Sequence, residues 1–371
     1  MTIAERPRRI LMTMDAVGGV WRYAMDLARG LRLLGVETIF AGFGPLPSQA
    51  QSAEADKIGT LVWLEAPLDW TIDSENQLEP ISGLLAELAL AHSAELLHLN
   101  LPSQAAGLAV ALPVVVVSHS CVVTWFDAVR DSDVPPDWLW QKHRNHMGFQ
   151  RAEAIVAPSR SHAASLRRCY GRLNNIEVVY NSSHFAPARV PKEDFVLAAG
   201  RWWDDGKNAA VLDAAAPLVL WPVFMAGPVR GPNGQYFAIE RATNLGELGH
   251  AELMTLMVKA GIFVSPSLYE PFGLAALEAA RAGAALVLAD IGTYRELWDG
   301  VALFCDPRDR RSFADAINRF AGDAGLRAEY AVKARARARN FSAEAQCKAM
   351  IDIYSRVAVE TCNFAATGAI S

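Results

Sequence analysis

Long apolar runs are missing from this sequence. Its longest apolar-looking region, residues 209–227, is interrupted by Asp213, Pro217 and Pro222. It therefore reads as a helix, a break and a strand, and not as a membrane span. No secretory signal is visible either, because Met1-Thr-Ile-Ala-Glu-Arg-Pro-Arg-Arg9 leads straight into Ile10-Leu-Met. Cysteine is sparse: Cys121, Cys169, Cys305, Cys347 and Cys362 are scattered, odd in number and without metal-ligand spacing. That pattern suits a reducing cytoplasm better than a disulfide framework or a zinc site. An excess of positive charge is also lacking, since 35 Lys and Arg face 40 Asp and Glu for a net charge of -5. General nucleic-acid binding needs a basic surface and is excluded. Neither an internal repeat nor a low-complexity tract is found. A cytoplasmic protein is expected, soluble or at most lying peripherally on the inner face of the membrane.

What the sequence does contain is alternation. Its 371 residues, 52% hydrophobic and 20% charged, are enough for two cores. Apolar strand candidates alternate with amphipathic helices, the pattern of parallel α/β sheets. Strands are expected at residues 10–13, 37–40, 61–64, 96–99, 114–117, 154–157 and 177–180. A helix over residues 20–34 is marked by Val20, Tyr23, Ala24, Leu27, Leu31 and Leu34 at three- and four-residue intervals. The pattern lapses in a Pro-rich polar stretch, residues 181–194, which reads as an inter-domain linker. A second series follows, with strands at 195–199, 219–226, 262–264, 286–288 and 303–304. The chain closes with a helix over 343–359 and a loose tail over 361–371.

The most informative segment is Ser265-Pro-Ser-Leu-Tyr-Glu270-Pro-Phe-Gly-Leu-Ala-Ala-Leu-Glu278. It follows the apolar run 260–264, which reads as a buried parallel strand. A strand that turns sharply into a helix presents backbone N–H groups and a positive dipole end at the sheet's carboxyl edge, a ready site for phosphate. One glutamate precedes the helix and the other lies on its second turn, so the two can grip hydroxyl groups on either side of a phosphate. A nucleotide-sugar fits that description. Upstream, Gly200-Arg201-Trp-Trp-Asp-Asp-Gly-Lys207-Asn208 follows another strand. An Arg fork and a compact Lys charge there can converge on a diphosphate. Gly18-Gly19 follows the first strand, where glycines let backbone approach a ligand, but the third glycine of a dinucleotide fingerprint is absent. His119 follows the strand 114–117 and so sits at a carboxyl end.

Taken in order, Gly18-Gly19-Val20, Ser118-His119-Ser120, Ala157-Pro-Ser159, Gly200-Arg201 with Lys207-Asn208, the two-glutamate segment and Gly292-Thr-Tyr-Arg-Glu296 resemble the retaining glycosyltransferases of family 4. The resemblance covers most of the chain. It implies the GT-B fold, two Rossmann-like parallel-sheet domains with the active site in the cleft between them. The domains would be 1–190, binding the acceptor, and 191–341, binding the nucleotide-sugar. Residues 342–371 would supply a helix crossing back to the first domain, plus the tail. Arg201 and Lys207 would hold the leaving diphosphate. Glu270 would meet the donor sugar and Glu278 the ribose, with Phe272, Gly273 and Leu274 offering backbone N–H groups. The resemblance puts His119 near the transferred sugar, closes the Gly18-Gly19 loop on phosphates or acceptor, and sets the base near Thr243-Asn-Leu245-Gly246. It implies transfer of a hexosyl unit from a UDP- or GDP-linked sugar to a saccharide, lipid-linked or small-molecule acceptor. Neither a metal nor any cofactor beyond the donor would take part. One departure stands out: family members usually carry Asn-Gly-Val-Asp where this chain has Asn181-Ser-Ser-His184, so the local turn is expected to differ.

Other features have plainer readings. Asp131-Ser-Asp133 has the letters of a metal-binding Asp-X-Asp but lies in a Pro-rich loop. His143 and His146 have no third ligand nearby and read as a surface helix. The stretch 121–140, with Trp125, Phe126, Trp138 and Trp140, is either an acceptor-stacking loop or an insertion packed on its domain. Arg22, Arg29 and Arg32 offer either a basic strip for an anionic acceptor or a solvated helix face, and Lys333, Arg335, Arg337 and Arg339 are read the same way. Two other functions compete: an epimerase or phosphorylase of the same fold, and a non-catalytic nucleotide-sugar-binding partner subunit. The arginine, lysine and both glutamates are all retained, and nothing favours loss of catalysis.

Overall fold

The computed structural model describes residues 6–187 and 190–368, with side chains described to residue 361. The opening residues 1–5, linker residues 188–189 and the last three residues of the expected tail lie outside that range. The chain divides into two compact units. One takes in almost all of the chain to Ser182 together with Ala343 onward, and the other runs from Ser183 to Ser342. The break between them falls after Ser182, and residues 128–130 group with the second unit.

The first unit is built on seven strands: β1 (Arg9–Asp15), β2 (Glu37–Phe43), β3 (Thr60–Trp63), β4 (Leu96–Leu99), β5 (Val114–Val117), β6 (Ala154–Ala157) and β7 (Ile176–Val178). They form one parallel sheet in the order β3-β2-β1-β4-β5-β6-β7. Helices cover both faces, which is why the central strands carry no polar alternation. Val114 to Val117 are all buried, each worth about 1.5–3 kcal/mol of removal from water. The helix Gly19–Leu33 buries Tyr23, Ala24, Leu27 and Leu31 on the face its periodicity marks.

The second unit has six strands: β8 (Glu193–Ala199), β9 (Val223–Ala226), β10 (Thr243–Gly246), β11 (Ala260–Ser265), β12 (Ala285–Ala289) and β13 (Leu303–Cys305). Their order is β10-β9-β8-β11-β12-β13, again all parallel. The β9 strand begins only at Val223 because Pro222 precedes it. The edge strand β10 is polar and half exposed, so apolar pattern alone gave no sign of it. The turn before it is held by buried Asp213, whose Oδ1 accepts from the backbone N–H groups of Glu240, Arg241 and Ala242 at 3.2, 2.8 and 2.9 Å.

The last helix spans Ala343–Gly368, longer than expected. Its final turns contain no proline and no glycine before Gly368, so nothing in the chain stops it at residue 359. It belongs to the first unit. Cys347, Met350, Ile353, Tyr354 and Val357 join the core formed by β1 and the helix Gly19–Leu33. The approach is close: a Cβ on Gly30 would lie 2.2 Å from the Cys347 Sγ, so a larger residue there would have to push that sulfur aside. Ser182 donates to Gln346 Oε1 at 2.7 Å, fixing the base of the helix.

Candidate active site

In an open parallel sheet, ligands bind outside the carboxyl ends of the strands where the strand order reverses. Those switch points lie between β1 and β4 in the first unit and between β8 and β11 in the second. Gly18 and Gly19 follow β1, Arg201 and Lys207 follow β8 and Glu270 follows β11, beside these points; His119 follows β5, next to β4, and Leu245 lies on the edge strand β10, away from them.

In the second unit the loop after β8 carries Arg201 and Lys207, and the loop after β11 carries Glu270. The Lys207 Nζ donates to Glu270 Oε2 at 2.5 Å, with side chains 19% and 16% exposed. The pair therefore remains open to a ligand. Two ties align the loops. Gly206 C=O accepts from the N–H groups of Leu268 and Tyr269 at 2.9 and 3.3 Å. Asn208, in the left-handed region at φ 56° and ψ 45°, donates through Nδ2 to the carbonyls of Pro266 and Pro307 at 2.9 and 2.7 Å. Arg201 lies near Asp204 Oδ2 at 3.3 Å and 5.4 Å above the Trp203 ring, a cation–π distance. Beneath it Trp202 is buried and donates through Nε1 to Ala226 C=O at 3.0 Å.

The helix Leu274–Ala282 starts immediately after Glu270-Pro271-Phe272-Gly273, without a side-chain cap and without acid in its first turn. Its first N–H groups are thus available to an anion. Gly273 enters it at φ +91°, and a Cβ there would meet the Tyr294 ring at 2.8 Å and Glu270 Cγ at 3.3 Å. Tyr294 is buried and hydrogen-bonds Ser265 at 2.5 Å, so the ring that dictates glycine is itself anchored. Glu278 is 6% exposed on the second turn of the helix. Phe272 packs edge-on against Phe341 at 5.6 Å; its side chain is core, which leaves its backbone as the part that can serve a ligand. Leu245 lies half-buried on β10.

In the first unit Gly18 caps the helix and Gly19 is its first residue. The turn is closed by the Val17 N–H donating to Asp15 Oδ1 at 2.9 Å. His119 follows β5 and its Nε2 lies 2.8 Å from Asn100 Oδ1; Asn100 itself follows β4. Burial, then the neighbouring His98 and His162, lower the His119 pKa to about 3. Its ring is neutral at ordinary pH and acts as a hydrogen-bonding group, not a charge.

The remaining features resolve into structure. The stretch 121–140 is not an inserted loop. It contains the helix Val122–Arg130 and a short helical turn over Pro136–Trp138, with Phe126, Trp138 and Trp140 packed against the core. Asp131 ends that helix in the left-handed region, and Asp133 accepts from Lys142 at 2.6 Å. His143 and His146 sit on the helix Leu139–Arg151. Among the described residues no three His, Cys, Asp or Glu side chains gather as a metal site, and no helix is long and apolar enough to cross a membrane. Arg22 and Arg29 form no open basic strip: both donate to Glu54, at 2.7 and 2.5 Å. Burial opposes the Glu54 charge, but hydrogen bonds from Arg22, Trp21 and Arg29 outweigh it and hold the carboxyl down to about 2.

The family model for Glycosyltransferase Family 4 matches residues 17–182, and that for Glycosyl transferases group 1 matches residues 234–338. The chain belongs to the group 1 glycosyltransferases. The D-inositol 3-phosphate glycosyltransferase of Salinispora tropica is 33% identical over 254 residues, which cover 56% of this glycosyltransferase and 52% of that protein. The glycogen synthase of Mycobacterium tuberculosis (strain H37Rv) is 42% identical over 100 residues, 26% of this chain and 24% of the relative. The matches thus span a quarter to about half of these relatives' own length. Among solved structures, sucrose-phosphate synthase from Thermosynechococcus elongatus superposes with a TM-score of 0.77 at 17% identity, covering 94% of this chain and 98% of that one. The Anabaena Alr3699/HepE structure, with UDP and glucose, gives 0.73 at 18% identity over 94% and 99%. The fold of this glycosyltransferase is GT-B.

Three residues important to the site's geometry went unassigned in the sequence. Asn208 stood beside Lys207, and asparagine is among the few residues that tolerate a left-handed backbone. Tyr294 lay inside the Gly292–Glu296 motif without a role. Asn100 follows His98, itself a polar intruder in the apolar run 96–99.

Proposed function

We propose that this glycosyltransferase moves a hexosyl unit from a UDP- or GDP-linked sugar to a saccharide, lipid-linked or small-molecule acceptor, with retention and without a metal. The observation that carries this reading is the Lys207–Glu270 pair at 2.5 Å. It lies at a switch point, on the same loop as Arg201 and at the uncapped start of the helix Leu274–Ala282. The bond from the anomeric carbon to the diphosphate breaks as the bond to the acceptor oxygen forms. The acceptor's proton passes to the leaving phosphate oxygen, releasing the nucleoside diphosphate. Negative charge grows on the diphosphate during this step, and two cations with a helix N-terminus stabilise it more in the transition state than in the ground state. Glu270 orients Lys207 and accepts from hydroxyls of the donor sugar, Glu278 serves the ribose, and the backbone beside Leu245 serves the base. Uridine and glucose chemistry is compatible with this reading because the Anabaena neighbour holds UDP and glucose.

The test is a thermal-shift screen of the purified protein against UDP, GDP and their sugar conjugates, since a ligand bound to the folded state raises its melting point. Turnover follows with the sugars that bind, and the product anomer is read by NMR. Lys207→Met and Glu270→Gln are expected to lower kcat by roughly 10²–10³ with the melting curve kept. Full turnover in either folded variant, or an inverted product, overturns the mechanism.

A further inference from the structure

We infer that Asn100 and Tyr354 are positioning residues that fix one tautomer of His119 and leave its Nδ1 as an acceptor for a ligand hydroxyl. The functional half of this inference rests on the glycosyl-transfer reading above; the tautomers do not.

Asn100 is buried, and its amide is oriented by β1. Its Nδ2 donates to Thr13 C=O at 2.6 Å, and its backbone N–H donates to Thr13 Oγ1 at 2.8 Å. The reverse amide orientation would set oxygen against a carbonyl. Asn100 Oδ1 must therefore face the two imidazoles, at 2.8 Å from His119 Nε2 and 3.2 Å from His98 Nε2. An amide oxygen only accepts, and it has two lone pairs. Both histidines consequently carry hydrogen on Nε2 and donate to it; the Tyr23 hydroxyl, 3.5 Å from the same His98 nitrogen, is farther than Asn100 Oδ1 at 3.2 Å and can then only accept there.

A neutral imidazole with hydrogen on Nε2 has its lone pair on Nδ1. For His98 that lone pair is used: the Tyr354 hydroxyl lies 2.6 Å from its Nδ1 and donates to it. Tyr354 stands on the C-terminal helix, fully buried beside His98. Without that donor His98 can change tautomer, and its Nε2 lone pair would then oppose Asn100 Oδ1. The amide would have to move, and with it the anchor of His119. Tyr23 restricts the same ring from another side, edge-on to His119 with centroids 4.3 Å apart. His119 Nδ1 has no protein partner among the described residues. It is an acceptor without charge, which suits an O–H donor and rejects a carboxylate or a phosphate oxygen. The sugar position it contacts is thus a hydroxyl, and an oxidised, carboxylate-bearing sugar is disfavoured there.

The experiment reads the imidazole nitrogen shifts of the ligand-free, ¹⁵N-labelled protein. The expected result is a proton-bearing Nε2 and a lone-pair Nδ1 for both His98 and His119. In Tyr354→Phe, His98 is expected to lose its single tautomer while the melting curve is kept, and kcat/KM to fall about tenfold. Asn100→Ala is expected to cost about a hundredfold, the range seen when partners that orient metal-bound histidines are removed. Hydrogen on Nδ1 of either histidine in the wild type overturns the inference, as does an unchanged His98 tautomer in Tyr354→Phe. Should a variant fail to fold, the wild-type shifts alone decide. If the tautomers are as expected but no nucleotide-sugar is turned over, the glycosyl-transfer reading fails and the tautomer assignment stands.

Discussion

Asn208 makes the sharpest claim about how the donor loops are held. Replacing it with alanine puts a Cβ-bearing, non-polar residue at φ 56°, which costs about 1–2 kcal/mol of backbone strain. It also removes two hydrogen bonds, to Pro266 and Pro307, worth about 1 kcal/mol each. The total for Asn208→Ala is about 3–4 kcal/mol. Asn208→Gly keeps the left-handed backbone without strain and should lose only the hydrogen-bond part, about 2 kcal/mol. Both variants untie the Lys207 loop from the carboxyl edge of β11. A displacement of about 1 Å at a positioning group can cost about a hundredfold in rate, so kcat/KM should fall by that order in both. Thermal melting and donor kinetics on the two variants separate the effects: stability should rank wild type, glycine, alanine, while activity should be low in both variants. If Asn208→Gly were as unstable as Asn208→Ala, the backbone term would be wrong. Wild-type turnover in both would refute the link between this anchor and Lys207.

Gly273→Ala should cost more than left-handed strain alone, because its Cβ meets the buried Tyr294 ring at 2.8 Å. A lowered melting point and weakened donor binding are expected, and a variant matching wild type in both would show that the ring yields. Stability should also fall in mild acid. Burial lowers both the His98 and the His162 pKa to about 4, against additional hydrogen bonds from Asn100 and Ser118 that favour the charged form. Below about 6.5 the unfolded chain takes up protons that these folded imidazoles refuse, so folding stability is full above that pH and drops as pH falls toward 4, at about 2 kcal/mol per histidine by pH 5. His119 acts in the same direction, whereas Glu54 with its depressed carboxyl contributes its loss only at pH values below its ordinary 4.5. Urea unfolding at pH 8 and pH 5 checks this, and equal stability at the two would refute it.

Much of this was legible because buried parallel strands advertise themselves. Leu96–Leu99, Val114–Val117 and Ala154–Ala157 are short apolar runs between polar turns, and their limits could be read directly. The two-glutamate segment was legible for a related reason, since proline and glycine mark the strand-to-helix turn. What stayed hidden depends on residues far apart in sequence. The edge strand Thr243–Gly246 has one side open and no apolar signature, and its turn is held by Asp213, a buried acid inside an otherwise apolar helix. The paired state of Arg22 and Arg29 needed Glu54, which no helix-face reading of residues 22–32 can supply. The aromatic stretch 121–140 could be a binding surface or core on its composition; only packing decides, and Phe126, Trp138 and Trp140 join the core. Tyr354 lies 256 residues from His98, and no local pattern connects them.

The two units handle charge in opposite ways at their switch points. The second unit keeps a lysine, an arginine and an uncapped helix end beside its switch point, where a diphosphate would gain negative charge. The first unit holds buried His98 and half-buried His119 in a neutral network, with one amide oxygen and one phenol fixing which nitrogen bears each proton. A cation at His119 would prefer an anionic partner to a hydroxyl. A neutral imidazole can grip a hydroxyl without that preference. Burial alone would leave its tautomer unspecified. The Thr13–Asn100 and Tyr354–His98 hydrogen bonds supply the missing specification, so this polar cluster at the ends of β1 and β4 sets which nitrogen of His119 is left to accept.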